Sequence, residues 1–113
     1  MLPLMALLAC TATPRPTRQD PRGEVLALLQ AHERAPAPAS LLEVLPSEQL
    51  GPLLASIASD RRAPALARTR AVVALGFFLC EEGRHALEEI LRTGSTSYIR
   101  AQAARSLRRA QGQ

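Results

Sequence analysis

Two segments of this chain repeat one pattern of residues at a constant spacing. In each segment an arginine is followed by an alanine three positions later and by a leucine seven positions later. The second segment lies 32 residues after the first, and the repeated positions are Arg68, Ala71, Leu75, Arg100, Ala103 and Leu107. Because residues three and seven positions apart share one face of an α-helix, the pattern predicts two similar helices.

A second pair of segments repeats at nearly the same spacing. Leu54 and Ile57 lie 33 residues before Leu87 and Ile90, in the stretches that precede the two arginine segments. Two separate coincidences at nearly one period indicate a unit of two helices that occurs twice along the chain.

The composition favours the same fold class. Aromatic residues are only 3% of a chain that is 47% hydrophobic, and they are Phe77, Phe78 and Tyr98. The core must therefore consist mainly of leucine, alanine, valine and isoleucine, and the abundance of alanine and leucine favours helix over strand. A length of 113 residues indicates one domain, which we predict to be all-α.

Prolines and capping residues divide the chain into six predicted helices. Asp20 and Pro21 provide a carboxylate cap and a first-turn proline, and Ser40 opens a capping-box pattern. Pro64 begins the longest predicted helix, whose apolar stretch 71–80 is expected to be enclosed by neighbouring helices. The predicted ranges are about 20–34, 40–45, 47–58 (or 51–58), 64–80, 83–92 and 97–110.

The repeated segments resemble the motif of HEAT repeats, in the short bacterial form that also occurs in phycobilisome lyases. That motif reads approximately apolar-Arg-x-x-Ala-Ala-x-Ala-Leu-Gly. Here it runs from Ala67 to Gly76, and again from Ile99 to Arg108, with arginine in place of the final glycine. The resemblance covers about residues 47–110.

This resemblance implies a short α-solenoid over residues 21–113, with about two and a half helical hairpins and an N-terminal capping helix. In the family, the motif arginine pairs with an acidic or carbonyl group in the neighbouring turn, and the small residues let adjacent helices approach closely. Both roles are structural. Stacks of this kind present helical faces for docking, so the resemblance implies protein binding rather than catalysis.

The first ten residues, MLPLMALLAC, end in a pattern that resembles the bacterial lipobox. Leu7, Leu8 and Ala9 are an apolar pair and a small residue that directly precede Cys10. The resemblance implies that residues 1–9 are a short signal peptide, that cleavage occurs before Cys10, and that the Cys10 thiol carries a lipid. The protein would then reside in the cell envelope, at the outer membrane or periplasmic side of a Gram-negative cell.

Residues 10–20 are predicted to be a flexible tether between this anchor and the helices. The stretch 11–22 contains three prolines, three arginines and no large apolar residue, so it cannot bury enough surface to fold by itself. No run of 18 apolar residues predicts a membrane-spanning helix. The alternative is that the N-terminal segment is not a signal and that the protein is cytoplasmic.

Residues that could act in catalysis or bind a metal occur singly or on helix faces predicted to be solvated. Glu82 and His85 have the spacing of a di-iron ligand pair, but only one such pair occurs. Four glutamates, at positions 81, 82, 88 and 89, fit an exposed helix face or contacts with the arginines of the last helix. Cys80 ends an apolar stretch without a neighbouring His or Lys, which favours an inert, buried thiol. We therefore predict no catalytic residue, metal or cofactor.

The last helix carries the best candidates for contact with a partner, which are Arg100, Arg105, Arg108 and Arg109. All 14 basic residues of the chain are arginines, a bias that we interpret first as compositional. No aromatic stacking platform accompanies the arginines of the last helix, so nucleic acid is disfavoured as the partner.

The sequence thus predicts a non-enzymatic scaffold that binds an unidentified protein and is held in the cell envelope by lipid at Cys10. No small-molecule substrate is expected. The first alternative is a cytosolic HEAT-like adaptor. Two others are a lyase-like enzyme and a helical protein that binds nucleic acid, whose affinity would fall steeply with salt.

Overall fold

The computed structural model describes residues 20–31 and 33–112, and all the regular secondary structure in this part of the chain is helical, with no strand. Its six helices are α1 (Pro21–Gln30), α2 (Pro38–Leu42), α3 (Ser47–Ser59), α4 (Ala65–Leu75), α5 (Glu81–Thr93) and α6 (Ser97–Ala110). The prediction of an all-α fold is confirmed. The predicted signal peptide, Cys10 and nearly all of the predicted tether lie outside the described residues.

Side-chain caps begin the first and the last helix, and the cap at Asp20 is the one that the sequence predicts. The Asp20 carboxylate accepts a hydrogen bond from the Gly23 N–H at 3.0 Å, with Pro21 as the first helical residue. The Thr96 hydroxyl accepts from the Ile99 N–H at 3.2 Å at the start of α6. Each side chain satisfies a backbone donor that the first turn of a helix leaves without a partner.

Two predicted boundaries near the N-terminus are wrong. Helix α1 ends at Gln30 rather than near residue 34, and α2 begins at Pro38 rather than at Ser40. Ser40 is therefore inside α2 and does not cap it. Proline at the first position of α2 starts the helix without a side-chain cap, because its fixed φ already suits the first turn.

The prediction of a long helix over residues 64–80 is also wrong, since α4 ends at Leu75. The Gly76 N–H donates to the Val73 carbonyl and the Phe77 N–H to the Ala74 carbonyl, which tightens the chain into a turn. The apolar stretch is thus divided, with Phe78 buried while Phe77 and Leu79 remain 48% and 40% exposed. The chain reverses here to begin α5, and apolar character alone does not indicate such a reversal.

The helices pack as two pairs of consecutive helices that lie side by side. Helix α3 contacts α4, and α5 contacts α6. Across the pairs, α3 contacts α5 and α4 contacts α6, while α1 packs on α4 and α2 on α3. One core results, and its fully buried larger side chains are Val25, Leu29, Leu41, Leu50, Leu54, Ile57, Val72, Leu75 and Leu87.

Small residues set the distance between helices in this core. A Cβ atom added to Gly76 would lie 3.3 Å from the Ser106 Cα on α6. The buried Ser106 hydroxyl donates to the Val72 carbonyl of α4 at 2.8 Å. A Cβ at Gly51 would lie only 2.8 Å from the Phe78 carbonyl oxygen. Larger side chains at these positions would force the helices apart.

Candidate interaction surfaces

The two copies of the repeated motif lie on neighbouring helices, α4 and α6. Ala71, Leu75 and Ala103 are fully buried, and Leu107 is half-buried against the core. These side chains pack in the contact between the two helices and present no reactive group at the surface. These motif residues therefore contribute packing, as expected from their small or aliphatic side chains.

The two motif arginines have different surroundings. The Arg100 Nη1 donates to the Gly94 carbonyl at 2.6 Å, in the loop between α5 and α6. The equivalent Arg68 has its Nε atom buried, and no acceptor among the described residues lies within hydrogen-bonding distance of that atom. The arginine of the second copy thus has a hydrogen-bond partner within its own hairpin, whereas no described residue accepts a hydrogen bond from the Arg68 Nε.

The four candidate arginines of α6 do not form one free basic surface. Arg105 and Arg108 are exposed, whereas Arg100 is half-buried and bonded to Gly94. The Arg109 guanidinium carbon lies 4.6 Å from the centre of the Phe77 ring, which is a cation–π contact. Only Arg105 and Arg108 project without such a contact in the part of the chain that is described.

An apolar surface spans α4 and the start of α6. Leu66 is 47% exposed and Tyr98 is 62% exposed, and both line one shallow depression together with Ala65, Thr69 and Val73. Leu66 and Tyr98 are equivalent positions, 32 residues apart. We call the surface formed by Leu66, Thr69, Val73 and Tyr98 the α4–α6 face. Sequence reasoning missed it, although the shared spacing of Leu66 and Tyr98 could have indicated it.

Two arginines outside the predicted set attach α1 to the rest of the molecule. The Arg70 Nη1 and Nη2 donate to the Leu29 and Glu33 carbonyls at 2.9 and 2.6 Å. Arg22 donates to the Ser56 hydroxyl at 2.7 Å and to the Asp60 carboxylate at 2.8 Å. Each pairing joins residues far apart in sequence, so no local pattern could have predicted it.

Three of the four glutamates of α5, namely Glu81, Glu88 and Glu89, pair within their own helix and not with the arginines of α6. Arg84 bonds both Glu81 and Glu88, Arg92 bonds Glu89, and the His85 Nε2 lies 3.1 Å from Glu81. The hydrogen bond from Arg84 lowers the pKa of the Glu81 carboxyl below its ordinary value. Within residues 20–31 and 33–112, no group of His, Cys, Asp and Glu side chains is arranged to hold a metal ion.

Cys80 has a structural position that the sequence did not predict. Its sulfur accepts a hydrogen bond from the Gly83 N–H at 3.3 Å and so caps the start of α5. Burial raises the pKa of the thiol above its usual value. The thiol form is therefore favoured near neutral pH, and Cys80 is half-buried rather than buried as the sequence predicts.

No helix in the described ranges combines the length and apolar character that crossing a bilayer requires. Comparisons of the chain with protein families, with characterised proteins and with solved structures give no match.

Proposed function

We propose that this protein is a non-enzymatic scaffold, built as a short HEAT-like stack, that binds a protein partner through the α4–α6 face. The main support is the exposure of Leu66 and Tyr98 on one depression that spans two equivalent helices. Aromatic and aliphatic side chains exposed together are typical of protein-binding surfaces. Arg105 and Arg108 on the same helix as Tyr98 supply exposed charge for the polar rim of such a contact.

The contacts between helices support a solenoid of repeated hairpins. The first helices of the two pairs, α3 and α5, contact each other, and so do the second helices, α4 and α6. Stacking of equivalent helices on each other is the packing that repeat proteins use. The α4–α6 face would then be a row of equivalent positions along the stack.

A charge placed on the α4–α6 face tests the binding surface. Leu66→Asp should abolish capture of a specific set of proteins by the purified chain from envelope extracts, measured by quantitative mass spectrometry. The matched control is Leu91→Asp, because Leu91 is exposed to a similar extent, 42% against 47%, but lies on α5. Equal loss in both variants, or capture that does not saturate, would contradict the proposal.

We further propose that the Cys10 thiol carries a lipid that anchors the scaffold to a membrane in the cell envelope. The support is the Leu-Leu-Ala-Cys pattern at residues 7–10 and the proline-rich stretch that follows it. Several acyl chains hold a protein to a bilayer stably, whereas a single chain holds it only marginally.

Cell fractionation of wild type and Cys10→Ser tests the anchor. Wild type should sediment with membranes and carry the mass of a diacylglycerol-modified cysteine, and Cys10→Ser should become soluble. Equal membrane association of both proteins would contradict the anchor. A soluble, unmodified wild type would instead favour the cytosolic adaptor.

A further inference from the structure

A polar cleft lies where the C-terminal ends of α3 and α5 meet the beginnings of α4 and α6. It has a volume of about 390 Å³, and the residues of its wall that matter here are Arg61, Arg68, Glu89, Ile90, Thr93 and Ile99. The cleft is separate from the α4–α6 face, since the two share no lining residue.

The Arg68 guanidinium gives this cleft an unsatisfied donor. Its Nε atom is buried, and nothing in the described chain accepts a hydrogen bond from it. Buried polar groups in folded proteins nearly always have a partner. The equivalent Arg100 has one, the Gly94 carbonyl, and that same glycine also lines the cleft beside Arg68. Because the buried Nε is out of reach of a ligand, the Arg68 atoms open to an acceptor from outside are its terminal Nη groups, which make no hydrogen bond with a described residue either.

The charged residues of the wall suit an anion of one negative charge. Arg61 and Arg68, which are positive, and Glu89, which is negative, all line the cleft. The Glu89 carboxylate is already engaged, since it bonds Arg92. A carboxylate balances the net charge of +1 of the three wall residues, whereas a phosphate dianion would leave a net negative charge beside Glu89.

The apolar part of the wall favours a ligand in which an apolar group is attached to the anionic group. Ile90 is largely buried and Ile99 is half-buried, and both border the cleft beside the charged groups. A carboxylate matches the fork of an arginine with two parallel hydrogen bonds. We propose that this cleft binds a carboxylate attached to an apolar group, with Arg68 as its principal hydrogen-bond donor and Arg61 as a second positive charge. The proposal does not depend on the function proposed for the α4–α6 face.

Nuclear magnetic resonance of the arginine Nε–H groups in the full chain tests the proposal directly. Titration with N-acetyl-L-leucine should shift the Arg68 Nε–H signal in a saturable manner, because a carboxylate bound at the terminal Nη groups changes the charge next to that proton. The uncharged amide of the same compound should leave that signal in place. Inorganic phosphate should bind more weakly than N-acetyl-L-leucine.

Variants separate the binding role of Arg68 from its contribution to folding. Arg68→Gln and Arg61→Gln should each weaken binding, and the loss of a hydrogen bond to a charged group at Arg68 corresponds to about tenfold or more. The control is Arg34→Gln, which removes the same charge from an exposed site outside the wall of the cleft and should bind as wild type does. Arg61 is exposed, so its variant remains informative if Arg68→Gln fails to fold.

Short peptides that end in leucine distinguish the two sources of such a carboxylate. Tighter binding of an acetylated tetrapeptide with a free C-terminus than of N-acetyl-L-leucine identifies the end of a protein chain as the ligand. Binding of the small acid alone identifies a small molecule. The proposal is overturned if the acid leaves the Arg68 signal unmoved, if acid and amide act alike, or if phosphate binds more tightly than the acid.

Discussion

Single arginine side chains carry much of the long-range order of this small molecule. Arg70 closes the C-terminal end of α1 by bonding two carbonyls there. These carbonyls belong to the last turn of α1 and the residues just beyond it, where backbone acceptors lack partners within the helix. A planar guanidinium bonds two acceptors at once, which a lysine ammonium does less well. The residue type therefore matters at this position as well as its charge.

Replacement of Arg70 should loosen α1 from the rest of the molecule. We expect Arg70→Ala to lower the free energy of unfolding by about 1–3 kcal/mol, because two charge-assisted hydrogen bonds are lost at a partly exposed site. Arg70→Lys should recover part of this loss. Urea denaturation followed by circular dichroism gives the values, and Arg34→Ala, at an exposed position, is the control. Equal stability of Arg70→Ala and Arg34→Ala would contradict the role of Arg70.

Among the helices, α5 is the one whose exposed surface is organised by charge. Arg84 lies between Glu81, three residues before it, and Glu88, four residues after it. Such spacings place side chains next to each other on a helix. All these side chains are well exposed, so each pair contributes little by itself, and together they favour the helical form of this segment.

The stability of α5 should decrease at acidic pH. Because the pKa of Glu81 is lower in the folded protein than its usual value of 4.5, its contribution is complete above that pH and is lost as the pH falls through the folded value. We expect the unfolding temperature of wild type to fall more steeply below pH 4.5 than that of Glu81→Gln. Glu48→Gln, on α3, serves as the control and should follow wild type. Parallel curves for wild type and Glu81→Gln would contradict this role of Glu81.

The repeated pattern allowed the helical fold class to be predicted, but not the ends of the helices. The segments that contain Ala71 and Ala103 do form two helices, and these helices are in contact. The end of α4 at Leu75 was missed because the next five residues are as apolar as the helix itself. The cleft beside Arg68 was missed for a different reason. Its wall comes from four helices and their loops, and only their packing brings these residues together.

At the scale of the whole molecule, one continuous core joins all six helices, and α4 lies at its centre, in contact with α1, α3 and α6. The contact between α4 and α6 depends on alanine and serine side chains. Ala103 is fully buried there, while Ala101 on the same helix is exposed. The neighbouring helix fills the space around Ala103, so only position 101 can accept a larger side chain.

Replacing these two alanines with a larger residue should have different effects on the free energy of unfolding. Ala103→Leu should destabilise the protein by about 1–3 kcal/mol, because added methylene groups have no space in a packed interface. Ala101→Leu should change stability by less than about 0.5 kcal/mol, as is usual for surface positions. Thermal unfolding measures both. A tolerated Ala103→Leu would show that α4 and α6 are not closely packed.

Tyr98 is the only tyrosine of a chain without tryptophan, and it is the most exposed of the large apolar side chains described. Excitation of the native protein in the near ultraviolet therefore reports almost entirely on one ring at the edge of one depression. Any molecule that covers this ring will change its emission or its quenching by iodide. The chain thus supplies an intrinsic optical readout of occupancy, with no dye or added residue needed.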